Sequence, residues 1–399
     1  MLRRWVALAW FVVGCAGDRR GAPPPVRDSA GIRIVESSRP IWGSDSGWRI
    51  EPEPSLDIGS ADGEEPYLFS YVETALRLGD GTIVVANAGS GELRFFDSTG
   101  RHVRSVGRKG SGPGEFGQSS VHIWQTPNGD IVAEDAGNRR VNVFDSAQGF
   151  RATVMLDLPP TGLQPSLQGV LADGSWLVKA WVEGAQSANG EWQRTSAYHR
   201  YGSDGKHLAT LAQAPEALLV GVKDGKMSTF FSVPFAPSSF AAAEAATILL
   251  NDDGAPRLIQ LTGDGVIRSI YRWQVPRRKG ADLIEVYRKT EIARARDTAW
   301  QRMIRAFHAS SVPIPEFAPA YTRMIVDYAG NTWLQRYYLD SEDERINDIL
   351  APDGRWLGTV TLPPGLWVLQ VGPDFLLGWR RDESEVEHVV VHRLRKGTQ

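Results

Sequence analysis

One stretch of this chain, Leu76 to Asp145, repeats its own pattern, and that doubling limits the fold before any motif is read. LRLGDGTIVVANAGSGELRFFDSTG (Leu76 to Gly100) returns 48 residues later as WQTPNGDIVAEDAGNRRVNVFDSAQG (Trp124 to Gly149). Asp80-Gly81 falls on Asn128-Gly129, Ile83-Val84-Val85 on Ile131-Val132-Ala133, and Phe96-Asp97 on Phe144-Asp145. A self-similar period of about 40 to 50 residues marks a repeat architecture, in which each unit buries its apolar faces only by stacking on the next.

Each unit reads as four short strands. The first is apolar and follows a Pro/Gly loop (Tyr71 to Leu78; Ser120 to Thr126). The second follows a type I or I′ turn at Asp-Gly or Asn-Gly (Thr82 to Ala86; Asp130 to Ala133). The third ends in Phe-Asp (Leu93 to Asp97; Val141 to Asp145), and the fourth follows a second glycine turn. A composition of 10% aromatic residues with 14 Trp and 41 Gly suits many short strands joined by tight turns. Later units are more degenerate. Ala172-Asp173-Gly174 opens a third, Ala246 to Leu250 a fourth, Met324 to Asp327 a fifth and Leu366 to Val371 a sixth. The sixth runs out one strand short after His388 to Leu394, so the strand around Trp48 to Ile58 is the natural fourth. The predicted fold is all-β: a six-bladed β-propeller of four-stranded antiparallel blades over residues 31–395, closed by mixed N- and C-terminal strands.

The segment Ala281 to Ser310 breaks the strand pattern. It has no Gly or Pro, and Ile284, Tyr287, Ile292, Ala299 and Met303 recur at helical spacing. This predicts a helical insertion, 281–310, between blades four and five. It either emerges from the binding face or packs on the side of the disc as local core.

The N-terminus is a targeting segment. Arg3 and Arg4 precede an apolar run from Trp5 to Val13, too short to span a bilayer, which ends at Val12-Val13-Gly14-Cys15. The chain's one cysteine stands there. This tetrapeptide resembles the lipobox of bacterial lipoproteins; the alternative is an ordinary secretory signal with an incidental cysteine. The resemblance implies a signal peptide over 1–14, acylation of Cys15, and a flexible Pro-rich tether over 15–30. By the sorting rule of that class, Ala16 in place of Asp implies the outer rather than the inner membrane, with the protein facing the periplasm or the cell surface. Acyl chains would anchor the chain without a transmembrane helix.

VAEDAGNRRVNVFD (Val132 to Asp145) resembles the NHL repeat, and VANAGSGELRFFD matches it with Ser90 where Asn138 stands. The arrangement is similar to six-bladed propeller lipoproteins of bacterial envelopes, a family largely without assigned activity. Asp135 and Asn138 suit hydrogen bonds to turn backbone and read as structural.

Candidates for chemistry are few. Gly107 to Gly114 (GRKGSGPG) invites a phosphate-loop reading, but it lacks the Gly-Lys-Ser/Thr ending and the helix that would hold an anion. Aligning the first strands on their turns places Thr74, His122, Leu167 and Arg323 at one level of the axial channel, and Glu73, Val121, Ser166 and Thr322 at the next. That is no ring of metal ligands, and neither a metal nor a cofactor is expected. Glu73, His122 and Arg323 are the candidate acid, base and anion binder of a catalytic reading; Thr74, His122 and Arg323 are the candidate channel contacts of a binding reading. The runs Glu342 to Arg345 and Arg380 to Glu383 read as solvated hairpin tips, with calcium at the first as an alternative. A net charge of −3 supplies no basic face for nucleic acid. The leading expectation is a lipid-anchored cell-envelope module that binds or scaffolds a protein, peptide or glycan partner. The alternatives are a lyase or lactonase-like hydrolase working at the axial channel, and a structural subunit of an envelope assembly.

Overall fold

The structure, a computed structural model, describes residues 25–397 except 44–46, 118–119, 148, 187–190, 226, 296, 311 and 340–344. The leader, Cys15, most of the tether and the run Glu342 to Glu344 therefore lie outside the described residues.

The chain opens with a hairpin, β1 (Val26–Ser29) and β2 (Ile32–Ser37), then β3 (Arg49–Ile50) and β4 (Leu56–Ile58). Blade one is β5 (Val72–Arg77), β6 (Ile83–Asn87), β7 (Glu92–Phe96) and β8 (His102–Val106). Blade two is β9 (Val121–Gln125), β10 (Ile131–Asp135), β11 (Arg140–Asp145) and β12 (Gly149–Met155). Blade three has β13 (Leu163–Leu171), β14 (Trp176–Gln186), β15 (Glu191–Tyr201) and β16 (His207–Asp224), with β17 (Met227–Ser232) added at its edge. Blade four is β18 (Phe240–Ala245), β19 (Thr247–Asn251), β20 (Arg257–Leu261) and β21 (Ile267–Trp273). Two helices follow, α1 (Gly280–Arg294) and α2 (Thr298–Ala309). Blade five is β22 (Tyr321–Val326), β23 (Thr332–Arg336), β24 (Arg345–Leu350) and β25 (Trp356–Leu362); blade six has β26 (Trp367–Val371), β27 (Phe375–Arg381) and β28 (Glu387–Arg395).

The second strand of blades one and two is buried at every residue, because a middle strand has a neighbouring blade against each face. The core is accordingly partitioned by interface. Val84, Leu93 and Phe95 meet Phe116, Ile123 and Phe144 between blades one and two. Val132 and Val141 meet Trp176 and Tyr201 between two and three, and Leu177 and Tyr198 meet Ile248 and Leu261 between three and four. Leu258, Tyr271 and Trp273 meet Tyr321, Leu334 and Trp356 between four and five. Trp333 and Ile349 meet Leu366 and Val390 between five and six, and Leu377 and Val389 meet Ile83 and Phe96 between six and one. Six interfaces, the last returning to the first blade, make a closed six-membered ring.

The ring closes through the N-terminus. β28 pairs antiparallel with β4 (Val389↔Ile58, Val391↔Leu56) and then with β3 (Leu394↔Ile50), so the N-terminal segment supplies the fourth strand of blade six. The repeated turns are type I with a glycine at the left-handed position. In blade one, Gly81 N donates to Leu78 O at 2.9 Å and Leu78 N to Thr82 O at 2.8 Å. Only Gly81 has positive φ (+90°), whereas a type I′ turn would need Asp80 there too.

Three features depart from the sequence reading. The insertion is two helices rather than one, because Asp297 caps α2 by accepting from Trp300 N at 2.7 Å and starts a new helix axis. The β1–β2 hairpin extends blade four, β2 running parallel to β21 (Ile34↔Ile270). Blades three and four also join edge to edge through parallel pairing of β13 with β18 (Gly169↔Ala243), giving one 11-stranded sheet. A side chain at Gly169 would collide with the Ala243 carbonyl, so the approach requires glycine there.

Every inner strand starts at one face of the disc, here called the upper face. Alternation of strand direction brings the ends of the second and fourth strands to that face as well.

Candidate functional site

The upper ends of the inner strands carry most of the polar groups that the sequence singles out. An inner strand exposes one edge to the axis, and its unpaired N–H groups need acceptors. Here, at the six–one, one–two and two–three interfaces, side chains of one blade supply them to the next. Glu387 Oε2 accepts from Val72 N at 2.9 Å, Glu73 Oε2 from Val121 N at 2.9 Å, and Glu134 Oε1 from Leu167 N at 2.8 Å. Thr74 Oγ1 accepts from Ile123 N at 3.0 Å and Gln370 Oε1 from Arg77 N at 2.7 Å. Arg323 Nη1 donates to Val368 O at 2.5 Å, with its guanidinium 4.8 Å from the Trp367 ring. Between blades three and four the two inner strands instead pair with each other, backbone to backbone. Thr74, Glu73 and Arg323 are thus inter-blade latches.

Glu73 reaches blade two because it is the extra residue of a β-bulge between Val72 and Thr74. The same bulging, in β13 and β22, shifts the inner-strand levels. The latched N–H groups of Val72, Val121 and Leu167 share a level, one residue away from the alignment read on turns for blades one and three.

His122 stands half-buried between two of these carboxylates. Its Nδ1 is 3.5 Å from Glu134 Oε2 and its Nε2 is 3.9 Å from Glu73 Oε2, with the Trp124 ring beside it at 6.1 Å. Burial opposes protonation most strongly, yet the hydrogen bond and charge of Glu134 and the charge of Glu73 together outweigh it. The imidazole's pKa is therefore raised above 6.5, despite repulsion from Arg323. Burial pushes the Arg323 guanidinium the other way, down to about 10. Chemically the arrangement is an imidazole flanked by two carboxylates, each already bonded to backbone. Glu134 was not a sequence candidate. Its signal was the strand register, since an antiparallel second strand places Glu134 directly opposite His122.

The glycine-rich connector has the wrong polarity for a phosphate. Arg140 donates to the carbonyls of Ser111 (2.7 Å), Gly112 (2.8 Å) and Glu115 (2.8 Å), so the loop turns acceptors rather than donors inward. Asp135 orients Arg140 through Nε at 2.8 Å, receives Asn138 Nδ2 at 2.8 Å and accepts from Gly117 N at 2.9 Å. Blade one repeats the device. Asn87 accepts from Ser70 N at 2.8 Å, and Arg94 donates to the carbonyls of Glu65, Pro66 and Leu68 at 2.8 to 3.0 Å. The Asp and Asn of the repeat motif are connector clamps.

A domain family described as a 6-bladed beta-propeller matches residues 64–168. The fold is a six-bladed β-propeller. No curated protein matches the chain. Among solved structures, a member of the duf4221 family from Bacteroides vulgatus is similar with a TM-score of 0.50 and 10% identity, over 89% of this chain and 100% of that one. A candidate exported protein from Bacteroides fragilis gives a TM-score of 0.49 and 12% identity, over 92% and 100%. Virginiamycin B lyase from Staphylococcus aureus gives 0.39 and 13%, over 88% and 95%. At these identities the likeness is one of fold alone.

A cleft of about 550 Å³ lies at the opposite end of the six–one interface, lined by Glu51, Arg77, Asp374, Phe375, Arg393 and Arg395. None of Glu73, His122 and Glu134 borders it. A void of about 10 Å³ between blades five and six, beside Arg323, Gln335 and Asn347, is the size of one water, and Asn347 Nδ2 has no partner there. Among the described residues, no three His, Cys, Asp or Glu side chains are grouped to hold a metal ion. The run Arg380 to Glu383 spans the end of β27 and its turn, with Arg380 paired with Asp57 at 2.7 Å and Arg381 with Glu387 at 3.1 Å.

Proposed function

We propose that this protein is a lipid-anchored cell-envelope propeller, similar to NHL-repeat lipoproteins, that binds or scaffolds a protein, peptide or glycan partner at its upper face. One observation carries the reading. The carboxylates and the guanidinium that a catalytic site would use are bonded to the backbone of neighbouring blades, Glu73 to Val121 N, Glu134 to Leu167 N and Arg323 to Val368 O. Groups that close the ring are poorly free to exchange protons with a substrate, whereas the half-buried His122 and Trp367 near the upper ends of their strands suit contact with a partner.

Export and anchoring rest on the lipobox-like Val12-Val13-Gly14-Cys15. The test is capture of the acylated protein from its native envelope after in-cell cross-linking, beside a Cys15→Ser chain. The reading expects a single dominant partner in stoichiometric yield, and release of Cys15→Ser from membranes with unchanged thermal stability. Unchanged membrane fractionation of Cys15→Ser would refute the anchor; absence of any partner from cross-linked envelopes would refute the binding role.

The raised pKa of His122 between two carboxylates favours one second reading, a lyase or lactonase-like hydrolase with Glu73, His122 and Arg323 as acid, base and anion binder. Turnover of a cyclic ester that is abolished by His122→Ala would establish it over binding.

A further inference from the structure

Blade three is not built like the others. β16 is 18 residues long, while the fourth strands of blades one, two, four and five have five to seven. β14 and β15 are 11 residues each, and β17 returns alongside β16. The excess of about 11 residues, at about 3.3 Å each, forms an arm rising about 35 Å from the upper face. One side of the arm is covered, Val220, Val222 and Phe231 packing on Trp300, Met303 and Phe307 of α2. The other side is open. The cross-strand registers put Trp181, Arg194, Trp192 and Phe230 on it together, with Trp192 against Phe230 at 6.3 Å and Arg194 stacked 4.7 Å from Trp181. Phe230 is 55% exposed, Trp181 39% and Trp192 36%.

Two further observations identify what this surface meets. The described chain begins at the same face: Pro25 O accepts from Glu36 N, and Glu36 is paired with Arg272 just before β21 runs out toward α1. Ten peptide units separate Cys15 from Pro25, a reach of at most about 35 Å. Fully extended, that segment is long enough for a lipid on Cys15 and the arm tip to meet one plane. The charge there is also reversed. Residues 277–310 carry nine Lys and Arg against four Asp and Glu, a net +5 in a chain of net −3. Lys289, Arg302 and Arg305 of this segment are exposed.

We propose that the arm of blade three and the neighbouring helices are a second membrane contact, which lays the upper face on an anionic lipid surface with Trp192 and Phe230 at the headgroup level. This rests on the lipid-anchor reading. In consequence the partner-binding rim of the channel looks into the cleft between disc and bilayer, and a partner reaches it from the membrane side.

The test uses the full acylated chain with Ser228→Cys, on the open side of the arm tip, or Ser98→Cys, in a turn at the opposite end of the disc, each carrying an environment-sensitive fluorophore. The vesicles are phosphatidylethanolamine with phosphatidylglycerol, or with phosphatidylcholine in its place. The expected result is a blue shift and quenching by lipid-borne quenchers at position 228 alone, stronger on the anionic vesicles and weakened by salt. Trp192→Ala with Phe230→Ala should reduce the lipid-exposed fraction at least about tenfold, because both rings lose their apolar contact with the lipid. Protein that sediments with vesicles while both probes stay aqueous overturns the docking and leaves the anchor intact. Protein that fails to sediment overturns the anchor and the docking with it. A probe that is dry in native envelopes but aqueous on vesicles overturns the lipid in favour of a protein occupant.

Discussion

Replacing Trp48 probes the closure of the ring where the N-terminal segment joins blade six. Trp48 precedes β3, is 4% exposed, and reaches between blades five and six, 5.2 Å from the Trp42 ring and 5.8 Å from the Trp333 ring, with Lys396 Nζ 4.6 Å from its face. An indole buries about 200 Å² on folding, worth about 5 kcal/mol at 25 cal/mol per Å². Truncation to alanine in cores costs about 3 to 5 kcal/mol. With an unfolding entropy near 2.1 cal/mol/K per residue over about 360 ordered residues, 4 kcal/mol lowers the melting temperature by about 5 °C. Trp48→Phe should cost far less, since Trp48 Nε1 has no hydrogen-bond partner to lose. Thermal unfolding followed by circular dichroism, with calorimetry for the enthalpy, reads both. If Trp48→Ala shifts the transition by less than about 1 °C, the N-terminal segment is not an integral part of blade six and the closure drawn here is wrong.

Three other outcomes follow from buried polar groups. Asp348 is fully buried and accepts from Arg336 at 2.9 and 2.8 Å and from Tyr321 Oη at 2.5 Å, so Asp348→Ala should cost about 3 to 5 kcal/mol by leaving the guanidinium unpaired, measured by denaturant unfolding. Glu134→Gln should drop the His122 pKa, because burial then acts with less opposition; titration of the imidazole by NMR tests this, and an unchanged value would refute the assigned cause. A raised folded pKa stabilises the fold fully below pH 6.5 and ceases to do so as pH rises through the folded value; in Glu134→Gln that loss should move to lower pH. Arg140→Met should release the 110–115 connector, so limited proteolysis there should accelerate while cutting elsewhere stays unchanged.

What the sequence made legible follows from how local the signals are. A glycine in the left-handed position of a type I turn is demanded by four adjacent residues, so Asp80-Gly81 and Asn128-Gly129 reveal the hairpins, and their spacing the blades. The missing strand of blade six was legible by subtraction. The arm was not, because Trp176 to Asp224 continues to read as strand whether it lies within a blade or rises above it. The helix break at Asp297 carries a capping residue, but the apolar spacing runs through it and conceals the change of axis. The candidate site was half legible. His122, Glu73, Thr74 and Arg323 do gather at the upper ends of inner strands, yet Glu73 meets its partner through a bulge, which shifts a strand by one residue without leaving a sequence mark. Glu134 required pairing the second strand against the first. Turn alignment of first strands alone cannot supply that partner.

The binding account is tested most directly by neutralising both channel carboxylates while leaving the latches intact. Glu73→Gln with Glu134→Gln keeps a carbonyl oxygen for Val121 N and for Leu167 N, but removes both general acid–base groups beside His122. In the acylated full chain, cross-linked in its native envelope, the account expects this variant to melt close to the wild type and to capture the same partner in the same yield. A folded variant that still captures its partner but no longer supports the protein's role in the cell would contradict it, and would place chemistry in the channel.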